Sequence, residues 1–235
     1  MKKSTVEEIR TKFDQLAHLY TDLQKGQDTA LDSPLIMELI SQAAIAYNPN
    51  ADSILDIGCG GGNYIVKVTS LLPNVNVTLA DLSQNMLDVA ANRVQKIISG
   101  KITKLQGDFR ELDFGTEKYD VITAATTLHH LRTESEWELV FSKMFNALKP
   151  GGSFWITDVI LHEHPEIDRL MHQGWINHLE ATLTPEKLAW SKEQYEKEDT
   201  PQTLNFQLEM MKKVGFKETV ILHKHFCFAA FGGIK

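Results

Sequence analysis

The chain has 235 residues, of which 43% are hydrophobic and 23% charged, and its formal net charge is −7. This length suits a single α/β domain with additions and a large buried core. The sequence has no dense lysine and arginine patch with interleaved aromatic residues, so direct binding of nucleic acid is not expected. It also has no signal-peptide pattern and no apolar run near the ~18 residues of a membrane span. We therefore expect a cytoplasmic protein whose partner is a small molecule, without membrane contact.

The spacing of cysteines and histidines favours neither disulfides nor a metal site. The two cysteines offer no disulfide framework and no zinc-binding spacing. Eight of the nine histidines lie at or after His129. Two pairs within this group, His162 with His164 and His172 with His178, lack the i, i+4 spacing that presents two ligands on one helix face. We therefore predict no metal.

Residues 1–49 are predicted to form a helical cap that precedes the β/α core. Thr5 and Glu8 are placed as a capping box, and apolar residues follow at helical spacing as far as residue 24. Phe13 and Tyr20 belong to this apolar set, either as core residues or as a cover over a site. A second helix is predicted to begin at residue 33, where a serine cap precedes a first-turn proline, and to end at residue 47.

The chain from 53 to 72 is predicted to form a strand, a glycine turn and a helix, with Asp-Ile-Gly-Cys-Gly-Gly-Gly at its centre. This arrangement lets a nucleoside ligand approach bare backbone at a helix N-terminus. The dinucleotide fingerprint requires glycine three residues after Gly60, and that position is Asn63. Asp56, two residues before Gly58, suits a cationic ligand better than a pyrophosphate. The glycine turn therefore favours a cationic nucleoside.

Two further predicted strands end in an aspartate. The strand over 75–81 ends at Asp81, and the strand over 102–109 closes on Asp108 and Phe109. Ligands of open α/β sheets lie at the carboxyl ends of the strands, where a carboxylate can accept both hydroxyls of a ribose. The alternatives are that Asp81 only caps the next helix and that Asp108 is an ordinary turn residue.

The remaining core elements are a fourth strand over 119–125, a helix over 134–148 and a fifth strand over 153–158. His129 and His130 follow the fourth strand on the side where a ligand is expected. Either imidazole can act as a general base toward an acceptor hydroxyl, amine or acid. Both are our candidate catalytic residues, although the pair can equally be a structural part of the loop.

Residues 161–200 are predicted to form an amphipathic helical insertion over the carboxyl ends of the sheet, and therefore a lid. Its candidate substrate contacts are His172, Trp175 and His178. The same aromatic stripe can instead be packing between helices or the interface of a homodimer. Residues 201–235 are predicted to form a helix and a final hairpin, with strands around 218–222 and 225–231.

These motifs, in their order and spacing over about residues 50–160, resemble the class I S-adenosylmethionine-dependent methyltransferases. The resemblance rests on Asp-x-Gly-x-Gly-x-Gly, the strand-end aspartates and the Leu-Lys-Pro-Gly-Gly turn before the fifth strand. It implies a Rossmann-like α/β sandwich whose seven-stranded sheet is mostly parallel with one antiparallel strand. It also implies S-adenosylmethionine as cofactor, S-adenosylhomocysteine as product and a small-molecule methyl acceptor, all within one domain with its core at 50–160.

The resemblance further implies which residues meet the cofactor. Asp81 would bind the ribose, and Asp108 the adenine amino group, with Phe109 beside the ring. Small residues such as Ala124 would let the backbone approach the methionine part. Tyr20 belongs to a segment similar to the family's N-terminal Phe-Asp-x-x-Ala-x-x-Tyr, which closes over the cofactor. The full set is Tyr20, Asp56, Gly58, Gly60, Asp81, Leu82, Met86, Asp108, Phe109 and Ala124.

The C-terminal third is also similar to the carboxy-S-adenosylmethionine synthases of tRNA modification. Those enzymes hold the extra carboxylate with an arginine of the inserted region. An ungapped alignment on Gly215-Phe216 places Ser191-Lys192 there, and no arginine follows Arg169. Lysine does not replace arginine in bidentate carboxylate binding. A third reading is a protein that binds the cofactor without catalysis.

Overall fold

A computed structural model describes residues 2–17 and 29–235 of the chain. The helices are α1 (Val6–Leu16), α2 (Ser33–Tyr47), α3 (Asn63–Leu71), α4 (Gln84–Val94), α5 (Glu134–Ala147), α6 (Pro165–Thr182), α7 (Pro185–Glu198) and α8 (Leu204–Val214). The strands are β1 (Ser53–Ile57), β2 (Asn76–Asp81), β3 (Ile102–Gln106), β4 (Tyr119–Ala125), β5 (Leu148–Val159), β6 (Glu218–His225) and β7 (Phe228–Ile234). A 3-10 turn, Leu128–His130, follows β4. No helix in the described ranges combines the length and apolar character needed to cross a membrane.

The seven strands form one sheet in the order β3-β2-β1-β4-β5-β7-β6. β7 pairs antiparallel with β5 and β6, and the other neighbouring pairs are parallel. The predicted Rossmann-like sheet, mostly parallel with one antiparallel strand, is confirmed. The strand order reverses between β1 and β4, and open α/β sheets bind ligands at such a reversal, beyond the carboxyl ends of the strands.

Helices cover both faces of the sheet. α2, α3 and α4 pack on one face, and α5 and α8 pack on the other. Side chains alternate between the faces along each strand, so Ile54 joins one core cluster while Leu55 joins the other. Both are fully buried, as expected for parallel strands covered by helices on two sides.

Helices begin at residues whose side chains accept backbone hydrogen bonds. Thr5 and Glu8 form the predicted capping box, because each side chain accepts the other residue's backbone N–H, at 3.2 and 2.6 Å. Ser83 caps α4 by accepting the Met86 N–H at 3.1 Å. α2 starts at Ser33 with proline in its first turn, as predicted, but Ser33 is not its cap: the N-cap is Asp32, whose side chain makes no capping hydrogen bond.

Several strand boundaries differ from the prediction. β5 begins at Leu148, five residues before the predicted start at 153, and ends at Val159. β3 ends at Gln106, so Asp108 and Phe109 lie in the turn that follows it rather than in the strand. The hairpin also turns later than predicted, because β6 continues through His225 and β7 begins at Phe228. Its turn places Phe226 in the left-handed region at φ 49°, where glycine or asparagine is the usual turn signal.

The predicted insertion after the fifth strand consists of α6 and α7, which we call the lid helices. Trp175 and Leu179 of α6 are buried in a small cluster with Phe228 of β7. The Trp175 indole N–H donates to the Thr29 carbonyl at 2.7 Å. α6 therefore packs against β7 and is hydrogen-bonded to the segment that precedes α2.

Candidate functional site

A cavity opens at the carboxyl ends of β1, β2 and β4, and we call it the sheet-end cavity. α1 covers it through Val6, Ile9 and Phe13. The candidate catalytic residue His130 lines it, together with eight of the predicted cofactor residues: Asp56, Gly58, Gly60, Asp81, Leu82, Met86, Asp108 and Phe109. Parallel strands thus bring together residues that are up to 53 positions apart. This is expected, because the carboxyl ends of parallel strands meet at one edge of the sheet.

The glycine turn between β1 and α3 has a conformation that residues with a side chain would not fit. Gly58 has φ 59°, and a Cβ at this residue would lie 2.1 Å from Thr127 Oγ1. Gly60 has φ 48°, in the left-handed region that favours glycine, and faces open space. The turn therefore exposes bare backbone to the cavity.

Asp81 fixes this turn relative to α4. Its Oδ2 accepts the Gly60 N–H at 2.9 Å, and its Oδ1 accepts the Ser83 N–H at 2.8 Å. Ser83, not Asp81, caps the helix, so the carboxylate keeps acceptor capacity for a ligand. Burial raises the pKa of Asp81 to about 6, against the lowering effect of these two N–H donors.

Asp56 is a buried carboxyl beneath the glycine turn. It accepts a hydrogen bond of 2.6 Å from the Thr123 hydroxyl, because the two residues are register partners on β1 and β4 and face the same side. Burial raises the pKa of Asp56 to about 7, and the charge of Asp81 adds to that increase. A cationic ligand group beside Asp56 would favour its ionised form.

Asp108 is already paired in the protein itself. Both of its oxygens accept from Arg110 Nε, at 2.9 and 3.0 Å, and Arg110 also contacts Glu136 at 3.1 Å. Burial would raise the pKa of Asp108, but the hydrogen bonds and charge of Arg110 outweigh it and hold the pKa below its usual value. A ligand amino group at Asp108 would share this carboxylate with Arg110.

Among the predicted cofactor residues that the structure describes, Ala124 alone does not line the cavity. The Ala124 side chain points to the opposite face of the sheet from Thr123, into the core beside α5, so its predicted contact with the cofactor, which concerns the backbone, stays a prediction. Ala125, Thr126 and Thr127 line the cavity instead. Tyr20 lies outside the described residues.

α1 is attached to the core on one side and to the lid helices on the other. Asp14 accepts a hydrogen bond of 2.6 Å from the Ser83 hydroxyl at the start of α4. Lys12 donates to Gln194 at 2.9 Å and forms an ion pair with the buried Glu198, both on α7. α1 therefore covers the sheet-end cavity while it bridges two parts of the molecule.

A second cavity of about 180 Å³ lies between the core and the lid helices, and we call it the lid cavity. It shares Phe13, Thr126 and His130 with the sheet-end cavity, so the two cavities meet. Thr126 has φ 48°, an uncommon conformation for a β-branched residue and one that recurs at functional sites. The lid cavity has room for a small organic molecule rather than a single water.

His129 lies at the base of the lid cavity between two carboxylates. Its Nδ1 is 2.5 Å from Asp158 Oδ1, and its Nε2 is 3.5 Å from Asp199 Oδ1. Asp158 Oδ2 also accepts the His129 backbone N–H at 3.1 Å, which fixes the residue in place. Burial alone would lower the pKa of His129, but the two carboxylates outweigh it and raise the pKa to about 9.

His130 lies beside His129, at a ring-centroid distance of 4.4 Å. Burial lowers the pKa of His130 well below its usual value, and the neighbouring charge of His129 adds to this. Its Nδ1 is buried and has no hydrogen-bond partner among the described residues; it lies 3.9 Å from Asp199 Oδ1. The two predicted catalytic histidines therefore share one carboxylate neighbour but have opposite pKa shifts.

The three predicted substrate residues of α6 differ in position. Trp175 lines the lid cavity. His172 packs behind it, with ring centroids 5.3 Å from Trp175 and 5.0 Å from Tyr195, and is not part of the cavity wall. His178 does not line the cavity either. The predicted substrate contacts of His172 and His178 are therefore not supported by the cavity geometry.

The prediction missed Asp158, Asp199 and Arg110. Asp158 lies at the carboxyl end of β5, so the rule that identified Asp56 and Asp81 applied to it as well. Asp199 follows α7 and reaches His129 only through the tertiary fold, and no local signal marks it.

Two groups of described residues could hold a metal ion. One is the half-buried cluster of Asp32, His223 and His225, and the other is His129, His130 and Asp199 in the lid cavity. Histidine spacing on single helices did not indicate either group, because each takes its members from different elements.

Comparisons with known proteins agree with this geometry. A family model described as "Methyltransferase domain" matches residues 54–152, from β1 into β5. A carboxy-S-adenosyl-L-methionine synthase of Nautilia profundicola is 23% identical over 230 residues, which span 97% of this chain and 93% of that protein.

Solved structures share the fold along most of the chain. An O-methyltransferase family protein from Burkholderia thailandensis aligns with a TM-score of 0.65 and 16% identity, over 95% of this chain but only 63% of that one. The cyclase SpnF aligns with a TM-score of 0.68 and 13% identity, over 100% of this chain and 97% of that one. At these identities the likeness establishes the fold alone, and the fold hosts more than one kind of reaction.

Proposed function

We propose, from the premise that this chain belongs to the class I S-adenosylmethionine-dependent methyltransferases, that it transfers a methyl group from S-adenosylmethionine to a small molecule. The observation that carries the proposal is the junction of two cavities at Phe13, Thr126 and His130. One cavity presents the strand-end aspartates, and the other presents a histidine and carboxylates under aromatic side chains. A cofactor in the first cavity would place its methyl group at the entrance to the second.

The sheet-end cavity suits the cofactor in one orientation. Asp81 is positioned to accept the two ribose hydroxyls, since a carboxylate has about four acceptor sites and the Gly60 and Ser83 N–H groups occupy one on each oxygen. Phe109 and Asp108 border the place for adenine. Asp56 and the glycine turn lie toward the cationic methionine part. The sulfonium methyl would then point toward His130.

The reaction is an in-line displacement at that methyl group. The acceptor atom, approaching from the lid cavity, forms a bond to the methyl carbon while the carbon–sulfur bond breaks and its electron pair stays on sulfur. Alignment and exclusion of water can supply about 7–11 kcal/mol when the geometry is good. α1 and the lid helices provide that enclosure, and His129 and His130 are the groups that face the acceptor.

The direct test is a methyl-transfer assay with methyl-labelled S-adenosylmethionine and a panel of hydroxyl, amine, thiol and carboxylate acceptors. We expect at least one acceptor to become labelled with equal formation of S-adenosylhomocysteine. The matched controls are Asp81→Asn, which should lower turnover at low cofactor concentration by at least about tenfold, and Asp88→Asn on α4, which should not. Binding of S-adenosylhomocysteine without any labelled product would instead support a protein that binds the cofactor and catalyses no methyl transfer.

A second candidate function is synthesis of carboxy-S-adenosylmethionine. It is favoured by the alignment with the Nautilia synthase along almost the whole of both chains. It is opposed by Lys192, the residue at the expected arginine position, because this side chain is 39% exposed and pairs with Glu180 at 3.3 Å. Mass spectrometry of the nucleoside that copurifies distinguishes the two functions, since the carboxylated cofactor is heavier than S-adenosylmethionine.

A further inference from the structure

The lid cavity contains three ligand-type side chains whose polar atoms converge on one point. His129 Nε2 and His130 Nδ1 lie 3.5 and 3.9 Å from Asp199 Oδ1, and one ligand atom from each residue falls within 4.8 Å of the others. A metal ion about 2.0–2.2 Å from each ligand holds those ligands roughly 3–3.5 Å apart. Small side-chain adjustments would therefore bring all three into coordination distance.

The surroundings of these side chains are those of metal ligands. The carboxylate of Asp158, which is 1% exposed, holds His129 through Nδ1. This contact leaves Nε2 as the atom that faces Asp199. Metal-binding histidines almost always donate their other ring N–H to such a carboxylate, which fixes the ring and its tautomer. Asp158 would therefore act as the positioning residue behind His129.

His130 supplies an independent observation. Its Nδ1 is buried, and among the described residues it has no hydrogen-bond partner. A buried polar atom without a partner is costly, and such atoms in native proteins call for an explanation such as an ion. A proton shared between His129 and its two carboxylates would satisfy His129 but would leave His130 Nδ1 unpaired. A metal ion satisfies both rings.

We propose that His129, His130 and Asp199 bind a divalent first-row transition-metal ion in the lid cavity. Two imidazoles and one carboxylate form a donor set that suits such ions, and the three ligands leave coordination positions open toward the cavity. Two ligands follow β4, and Asp158 at the end of β5 orients one of them. The third ligand, Asp199, follows α7, so the site is complete only when α7 is packed against the core.

This assignment also identifies the acceptor class, and that step rests on the proposed methyl transfer. An ion at this point would bind a hydroxyl or thiol of the acceptor and lower the pKa of that group. The released proton passes to water. A lone pair of the deprotonated oxygen or sulfur then forms the bond to the methyl carbon, and the electron pair of the broken carbon–sulfur bond stays on the cofactor's sulfur as a neutral thioether.

Metal binding is tested without any assay of turnover. The protein is treated with a chelator and titrated with Co²⁺, and the bound ion is followed by its visible absorption and by metal analysis. The starting variant is H223Q/H225Q, which removes the other cluster able to hold a metal while its glutamines still offer N–H donors to Asp32. We expect one Co²⁺ per chain in this variant.

Three substitutions in that background locate the ion. Asp199→Asn removes a ligand and should weaken Co²⁺ binding at least tenfold. Asp158→Asn leaves all three ligands in place but removes their orienting carboxylate, and it should weaken binding by about 10–100-fold. Asp88→Asn, the same chemical change on the exposed face of α4, should leave Co²⁺ affinity unchanged. Affinity for S-adenosylhomocysteine, measured on each variant, verifies that the fold is retained.

The outcomes separate this inference from the proposed function. Loss of all Co²⁺ binding in H223Q/H225Q, or unchanged binding in Asp199→Asn, overturns the metal site and leaves methyl transfer standing. Bound Co²⁺ that depends on Asp199, together with no methyl transfer to any hydroxyl or thiol, supports the metal site and overturns its proposed role in acceptor binding.

Discussion

At the scale of single residues, Asp81 connects the glycine turn to the helix that follows β2. Its two oxygens accept the backbone N–H groups of Gly60 and Ser83, and the residue lines the sheet-end cavity. One carboxylate therefore has two tasks, because it shapes the binding turn and offers acceptors to a ligand. The first task depends on hydrogen bonds that asparagine can partly preserve, and the second depends on charge.

We expect Asp81→Asn and Asp81→Ala to weaken S-adenosylhomocysteine binding by at least about tenfold. Removing a charged hydrogen-bond partner costs about 1.5–3 kcal/mol. Alanine should have the larger effect, because it also releases the Gly60 and Ser83 N–H groups. Calorimetric titration measures the affinities, with Asp88→Asn as the matched control. Equal affinity in Asp81→Ala and the native protein would show that Asp81 only supports the local fold.

A second prediction concerns pH. The pKa values of Asp56 and Asp81 in the ligand-free protein are raised to about 7 and about 6, mainly by burial. Both groups are therefore protonated in acid, whereas the cofactor's ammonium and ribose hydroxyls favour the carboxylates. Affinity should rise with pH and level off above about 8, and at pH 5.5 it should be at least about tenfold weaker. Calorimetry with S-adenosylhomocysteine across this range checks it.

The Asp81→Asn variant provides the control for this pH dependence. It removes the group with the lower pKa, so its affinity should change less with pH than that of the native protein below pH 6. An affinity that is flat from pH 5.5 to 8 in the native protein would contradict the link between these carboxyls and the cofactor.

At the scale of elements, α1 covers the sheet-end cavity and is held there by contacts with α7 and with the start of α4. Its apolar residues Val6, Ile9 and Phe13 face the sheet-end cavity, while Lys12 contacts α7. A ligand that fills the cavity gives those apolar side chains a surface to pack against. Its binding should therefore order α1, and α7 through it.

Hydrogen exchange with and without S-adenosylhomocysteine tests this directly. We expect protection to rise in residues 6–17 and in α7, in addition to the glycine turn, because closure over a ligand buries both segments. The double variant K12Q/E198Q removes the ion pair without leaving a buried charge, and in it the protection of α7 should fall while that of α1 remains. Protection confined to residues 56–62, Asp81 and Asp108 would identify the lid helices as a packing or dimerisation element.

The elements also show where local sequence signals suffice. α4 begins after the serine cap Ser83, because capping depends on contacts within three residues. α2 also begins at the predicted residue, but its N-cap is Asp32 and not the predicted Ser33. The final hairpin was misplaced, because Phe226 adopts φ 49° in a turn without glycine, asparagine or proline. Its conformation is imposed by the packing of neighbouring strands, and a single segment does not encode that information.

At the scale of the whole molecule, cofactor binding should increase the free energy of unfolding and therefore raise Tm. A ligand at 100 times its Kd stabilises the folded state by about 2.7 kcal/mol, and in a protein of this size each kcal/mol raises Tm by about 2–4 °C. S-adenosylhomocysteine at that concentration should therefore raise Tm by about 5–10 °C. A tenfold weaker Asp81→Asn should show about half that shift at the same concentration. Thermal denaturation measures both, and an equal shift with NAD would contradict the cofactor assignment.

The sequence predicted the sheet-end cavity better than the lid cavity, for a physical reason. Asp56, Asp81 and Asp108 converge because parallel strands end at one edge, so their position along each strand is enough to place them. Ala124 faces the core and its neighbour Ala125 lines the cavity, because successive side chains of a strand point to opposite faces. The contacts of His129 with Asp199 depend on how α7 packs against the core, and that packing follows from the whole fold rather than from a local pattern.

The two attachments of α1, to Ser83 on the core and to Gln194 and Glu198 on α7, have a thermodynamic consequence. α1 borders both cavities, so under the proposed function each ligand contributes to the free energy of the same closure. Coupling of this kind is reciprocal: if the cofactor increases acceptor affinity by some factor, the acceptor increases cofactor affinity by that same factor. Departure of either product should then lower the affinity for the other, so that turnover itself reopens the enzyme.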